Sequence, residues 1–183
     1  MNPREFDPLR LDVAAFAKAD GRLDGHWPVA EFGRLAASAA AGAELPGEVR
    51  WAARGEARAV RGDAPQVWLH LTASTHVPLQ CQRCLEPVGV AVEVKRSFRF
   101  VHGEDDAAAL DAESDDDVLA LTRALDLREL LEDELLLALP LVPRHAVCPV
   151  PLAPPASADA GEPEEAAPHP FASLAALKRP RLN

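Results

Sequence analysis

From Glu48 onward the apolar residues fall on every second position, and that period leaves few folds open. Val49 and Trp51 open the pattern, and Val67, Leu69 and Leu71 carry it on, alternating with Trp68, His70 and Thr72. Val88, Val90, Val92 and Val94 then alternate strictly, and Phe98 and Phe100 extend the run. A period of two places one set of side chains on one sheet face, so each stretch reads as a half-buried strand. "RGDAPQ" separates the first two stretches and "LQCQRCLEPV" the second and third, and both are turn-sized. Three long strands joined this way predict an antiparallel meander with one face on a core.

A sheet face needs a covering layer, and three segments offer helices. "LDVAAFAKAD" reads as a short helix, followed by an extended "GRLDGHW". "PVAEFGRLAASAAA" reads as another, with Pro28 at its first position and Val29, Phe32, Leu35, Ala36 and Ala39 at helical spacing. The clearest is "LDLRELLEDELLLALP". Asp126 caps it, Glu129 completes a capping-box-like start, and Pro140 stops it. Its stripe of Leu127, Leu130, Leu131, Leu135 and Ala138 predicts packing on the sheet, and Glu132, Asp133 and Glu134 are expected to be merely solvated. The acidic run "EDDAAALDAESDDD", residues 104–117, holds eight acids and no base and predicts a mobile loop. It lacks the glycine and the regular oxygen spacing of a calcium-binding EF-hand loop.

Beyond Cys148 the composition shifts. "CPVPLAPPASADAGEPEEAAPHP" is rich in Pro, Ala and acids, which predicts a disordered linker over 149–169. Apolar character returns in "PFASLAALKRPRLN", where Phe171, Leu174 and Leu177, with Lys178 beside them, predict a docking segment over 170–183. Its own domain and a partner are equally open as the surface it docks on. The expected class is therefore α+β: an antiparallel meander packed against helices over 1–148, then a tether and a short docking segment.

Charge bounds the function. The net charge is −10, but residues 1–100 hold 13 Lys/Arg against 12 Asp/Glu, while 101–183 hold 6 against 17. Affinity for phosphate comes mainly from neutralising cations, so the acidic whole speaks against non-specific nucleic-acid binding. A basic face on the first half stays open. No apolar run approaches the roughly 20 residues that span a bilayer. The opening "MNPREFDPLRLD" has charges where a signal peptide needs an apolar stretch, so a cytoplasmic location is expected.

The chain has three cysteines, and two form the CxxC of "LQCQRCLEPV". A redox pair needs a thiol at a helix N-terminus in a thioredoxin-like βαβ unit, whereas Cys81 and Cys84 join two strands. A structural zinc site needs four ligands. "HAVC" repeats the two-residue gap, so Cys81, Cys84, His145 and Cys148 make a candidate set of three thiolates and one imidazole. Free cysteines also pack as small hydrophobes. Reduced, metal-free packing with no cofactor is the expectation, and zinc is the alternative. No P-loop, GxGxxG, GxSxG or HExxH motif is present, and a non-enzymatic protein is expected.

Three ordered blocks, "LQCQRCLEPV", "LLEDELLLALPLVPRHAVC" and "HPFASLAALKRPR", together with "RLDGHWPVAEFGRLA", resemble the bacterial YceD family, the large ribosomal RNA subunit accumulation proteins. The resemblance runs from about residue 7 to the C-terminus. It implies a non-catalytic role in the synthesis, processing or stability of large-subunit (23S) ribosomal RNA, through that RNA, its precursor or a protein. It maps the family's cysteine pair onto Cys81 and Cys84 and its Leu-Pro block onto Leu139, Pro140, Pro143 and His145. Arg83, Lys95, Arg96 and Arg99 are the candidate RNA-facing residues, with ordinary solvated strand charges as the alternative. Strict alternation puts Lys95 and Arg99 on the open face and Arg96 on the apolar one. The rival functions are an adaptor for a basic ribosomal protein or nuclease, and a small zinc-binding protein.

Overall fold

The computed structural model describes residues 6–149. It divides the chain into two units, Met1–Cys148 and Pro149–Asn183. The expected linker (beyond Pro149) and the docking residues Phe171, Leu174, Leu177 and Lys178 lie outside the described residues.

The period-two stretches are strands. β2 (Glu48–Arg58), β3 (Gln66–Gln80) and β4 (Pro87–Val101) pair antiparallel in sequence order. β1 (Arg22–Pro28) adds to β2 antiparallel, and the short β5 (Asp117–Ala120) adds to β4 in parallel. The result is one five-stranded sheet in the order β1-β2-β3-β4-β5. It is the expected α+β fold, with a strand more at either edge than the alternation alone marked out.

One face carries the core. Val49, Trp51 and Ala53 of β2, Leu69, Leu71 and Ala73 of β3, and Val92, Val94, Phe98 and Phe100 of β4 are buried on it. Helix α1 (Val13–Lys18), capped by the Asp12 side chain, lies over β2 and β3 with Val13 and Phe16 inward. It sits so close that a Cβ on Gly55 would lie 2.8 Å from the backbone of Ala17, so β2 needs glycine there. Helix α4 (Leu127–Leu137) crosses β3 and β4 and buries Leu127, Leu131 and Leu135 completely. Asp126 caps it as expected, accepting from the N–H groups of Arg128 and Glu129. Ala138, placed on the apolar stripe by its spacing, is exposed because the helix has already ended.

Two segments differ from the sequence expectation. The helix expected from Pro28 is replaced by three pieces: the end of β1, a 3-10 turn over Val29–Glu31 and a five-residue helix α2 (Gly33–Ala37). Pro28 still pairs with Glu48, and Phe32 has φ −94° and ψ 88°, which no continuous helix permits. Val29, Phe32 and Leu35 are buried all the same, so the apolar spacing located the core without fixing the backbone. The acidic run is not a loop either. It forms α3 (Glu104–Glu113) and then β5. Three acids in the first turn of α3 sit against the positive end of its backbone dipole, and its alanines favour helix.

The acidic side of α4 is also tied down. Glu132 accepts from the backbone N–H of Arg34 at 2.7 Å and of Leu35 at 3.1 Å, and pairs with the Arg34 guanidinium. The residue before α2, Phe32, supplies no cap, so a carboxylate 97–98 residues downstream caps that helix instead. Glu134 is buried and meets Arg96 at 2.9 Å.

Candidate functional site

The CxxC lies on the turn between β3 and β4. Here the chain reverses through residues 82–84, and the N–H of Leu85 donates to the carbonyl of Cys81 at 2.9 Å. Leu85 holds φ at 66°, a left-handed conformation that costs a non-glycine residue about 1 kcal/mol. Both thiols therefore point the same way. The segment after α4 comes back to meet them, and the Gln82 N–H donates to the Pro143 carbonyl at 2.9 Å. That contact delivers His145 and Cys148.

The Sγ atoms of Cys81, Cys84 and Cys148 and one ring nitrogen of His145 all lie within 4.8 Å of one another. His145 Nδ1 is 3.4 Å from Cys84 Sγ, and its Nε2 is 3.0 Å from the Pro87 carbonyl. A carbonyl only accepts, so Nε2 carries the proton and Nδ1 turns a lone pair toward the sulfurs. Arg83 donates to Cys148 Sγ at 3.0 Å and to the His145 carbonyl at 3.2 Å. Cys81 is buried, while the other three members are half-buried. Burial works to raise the Cys81 thiol, yet backbone N–H groups of Cys84, His145 and Arg83 outweigh it and hold it down to about 5. Burial pushes Cys84 up to about 11, helped by the neighbouring sulfurs of Cys148 and Cys81. Closely packed thiols release one proton easily and the next reluctantly.

A second surface lies across the sheet from the core. The register sets Ala52 beside Thr72 and Lys95, Arg54 beside His70 and Ser97, and Glu56 beside Trp68 and Arg99. Arg50 and Arg58 extend the same face of β2 and are exposed. The Arg58 guanidinium lies 4.3 Å over the Trp68 ring, and Trp68 stacks on His70. Glu56 pairs with His70 and Arg58, and the His70 ring, with Arg58 beside it, holds the Glu56 carboxyl below its ordinary value. Arg54 reaches Asp20 at 3.2 Å. The ion pairs of the described residues leave Lys95 and Arg99 without an acidic partner.

The four basic residues singled out from sequence are therefore not one patch. Lys95 and Arg99 share the open face. Arg96 points to the opposite side, where Glu134 and Asp117 take its guanidinium. Arg83 is engaged at the hairpin tip by Cys148 and His145. Sequence reasoning missed Arg50, Arg54, Arg58 and Trp68. Their alternation along β2 and β3 was visible, but only the register sets them beside Lys95 and Arg99.

A sheet with one covered and one charged open face, carrying a Cys/His cluster at a hairpin tip, makes this a small α+β domain. Comparison with known proteins gives the particular family. The family described as "Large ribosomal RNA subunit accumulation protein YceD" matches residues 69–178, and the chain belongs to it. A relative from Haemophilus influenzae, carrying that same name, is 37% identical over 105 residues, which is 56% of this chain. The match spans 60% of that relative's length. No solved structure matches. Among the described residues no helix is long and apolar enough to cross a membrane.

Proposed function

We propose that this protein is a non-catalytic, cytoplasmic ribosome-biogenesis factor that sustains the accumulation of large-subunit (23S) ribosomal RNA by binding that RNA or its precursor. The family and its Haemophilus relative are named for that process. The observation that carries the RNA contact is the open sheet face, where Arg50, Arg54 and Arg58 of β2 line up across β3 from Lys95 and Arg99 of β4. Cations there neutralise phosphates, and Trp68, buried beneath the Arg58 guanidinium, holds that cation over the sheet. Glu48, Glu56 and Glu93 share this face with the five cations, while three acids stand apart in the first turn of α3.

A second reading has a specific observation behind it. The exposed acids of α3, Glu104, Asp105 and Asp106, suit a basic ribosomal protein or a nuclease as partner, with the RNA reached through it. The test is depletion of the protein from growing cells, with complementation by the full chain. The proposal expects the ratio of large- to small-subunit rRNA to fall on depletion. Wild type should restore it, and a variant with Arg54, Lys95 and Arg99 all changed to Glu should not. An unchanged ratio overturns the role. Restoration by the open-face variant overturns the RNA contact and favours the adaptor.

A further inference from the structure

We infer that Cys81, Cys84, His145 and Cys148 bind one structural zinc ion, which bolts the β3–β4 hairpin tip to the segment after α4. The separations fit such an ion. Tetrahedral zinc with Zn–S about 2.3 Å and Zn–N about 2.0 Å holds its sulfurs roughly 3.8 Å apart and sulfur to nitrogen roughly 3.5 Å. Cys84 Sγ and His145 Nδ1 already stand 3.4 Å apart, and no pair in the cluster exceeds 4.8 Å. Side-chain rotation alone closes the difference.

The outer contacts are those a zinc site needs. A ligating histidine has its far N–H held by an acceptor, which fixes the tautomer and turns the ligand nitrogen inward. The Pro87 carbonyl does this for His145. Three thiolates and a divalent ion leave one negative charge, and Arg83, bonded to Cys148 Sγ, balances it. The left-handed Leu85 closes the turn that aims both sulfurs of the CxxC inward, a strained conformation of the kind that clusters at ligand clamps.

Packing does not account for the arrangement. Cysteine acts as a small hydrophobe when it is inside the core. Cys81 is fully buried, but Cys84, His145 and Cys148 are only half-buried at the rim, outside the core. The segment that carries His145 and Cys148 has no helix or strand, and Leu141 and Val147 are 98% and 84% exposed. So little burial cannot hold ten residues of backbone against their conformational entropy, and a metal bond can. Four closed protein ligands and no open position make this a structural site, not a catalytic one. Soft thiolates with one imidazole in tetrahedral reach select zinc over the oxygen-seeking ions.

The test uses the full chain, purified in reductant without added metal or chelator, with zinc and iron measured by elemental analysis. The expected result is one zinc per chain. Cobalt exchanged into the protein should show the absorption of a tetrahedral thiolate site. Cys148→Ser should lose the metal. His145→Cys should keep it, with stronger sulfur-to-cobalt charge-transfer bands, which shows that any loss in Cys148→Ser is not simple misfolding. Chelation should raise hydrogen exchange at residues 139–148 while β2–β4 stay protected. Only trace metal, both as purified and after zinc addition in reductant, overturns the inference. So does stoichiometric iron in place of zinc, or zinc retained when Cys84 and Cys148 are both changed to Ser.

Discussion

Replacing Glu132 with Lys tests whether α4 caps α2 across the fold. The Glu132 side chain is 12% exposed and accepts from the N–H groups of Arg34 and Leu35 and from the Arg34 guanidinium. Losing a helix cap costs about 1 kcal/mol, and up to about 2 in folded proteins. A lysine there also sets a cation against the positive end of α2 and against Arg34, in a place with little room to turn outward. The two effects together predict a loss of roughly 2–4 kcal/mol, or about 5–12 °C in Tm for a domain of this size. Glu132→Gln keeps an acceptor for one N–H and should cost only about 1 kcal/mol. The pH dependence separates the two variants further. Burial works to raise the Glu132 carboxyl, but the N–H groups of Leu35 and Arg34 and the Arg34 side chain outweigh it and hold it below its ordinary 4.5. A lowered folded value contributes stability that is fully present above about pH 4.5 and is lost as pH falls through the folded value. Glu132→Gln should therefore narrow its gap to wild type in acid. Urea melts of the full chain between pH 3 and pH 7 read both effects. Glu132→Lys within about 0.5 kcal/mol of wild type, the range of an ordinary surface change, would refute the long-range cap.

Other substitutions probe other parts of the account. Gly55→Ala should cost roughly 1–2 kcal/mol in a chemical melt, because overpacking against the α1 backbone exceeds the entropy that alanine removes from the unfolded chain. Wild-type stability in that variant would mean α1 can shift freely. Arg96→Met should cost about 1–2 kcal/mol by leaving buried Glu134 unpaired, a figure reduced for the part-exposed arginine. Changing Arg96 to Met and Glu134 to Leu together should recover most of that loss, and simple additivity of the two changes would contradict the pairing. Burial raises the Glu134 carboxyl above its ordinary value, against the pull of Arg96, so charging it costs stability as pH rises through that window. Glu134→Gln should accordingly be better tolerated at pH 7 than Arg96→Met, as thermal melts of the two would read.

The sheet was legible because alternation is a direct imprint of one buried face: Leu69, Leu71, Val92, Val94, Phe98 and Phe100 are all buried where the period put them. α4 was legible for the same reason at helical spacing, with its cap and its stop. α3 was not, since a ten-residue helix with only Ala107 buried leaves no apolar period, and its acids read as a solvated loop. The region after Pro28 misled because Val29, Phe32 and Leu35 face the core through a strand end, a 3-10 turn and a short helix, which mimics one helical stripe. Glu132 and Arg96 illustrate what a single strand of text withholds. Their neighbours lie tens of residues away, and charge type alone does not reveal a buried partner. The four members of the Cys/His cluster were named by spacing, but their meeting depends on where the chain goes after Pro140. The open face needed register, which pairs Arg54 with His70 and Glu56 with Trp68 across strands.

Direct binding of the full chain to purified large-subunit rRNA, followed across salt concentrations, bears most closely on the account. Affinity should fall with a linear log–log slope, since Arg54, Lys95 and Arg99 displace the counterions condensed on the phosphates they meet. Changing those three to Ala should reduce the magnitude of that slope by about 2, at roughly 0.7 per lost contact to single-stranded RNA. Tight binding whose slope is the same in wild type and in the triple variant, or no binding by the folded wild-type chain at low salt, would contradict the claim that this sheet face meets the RNA.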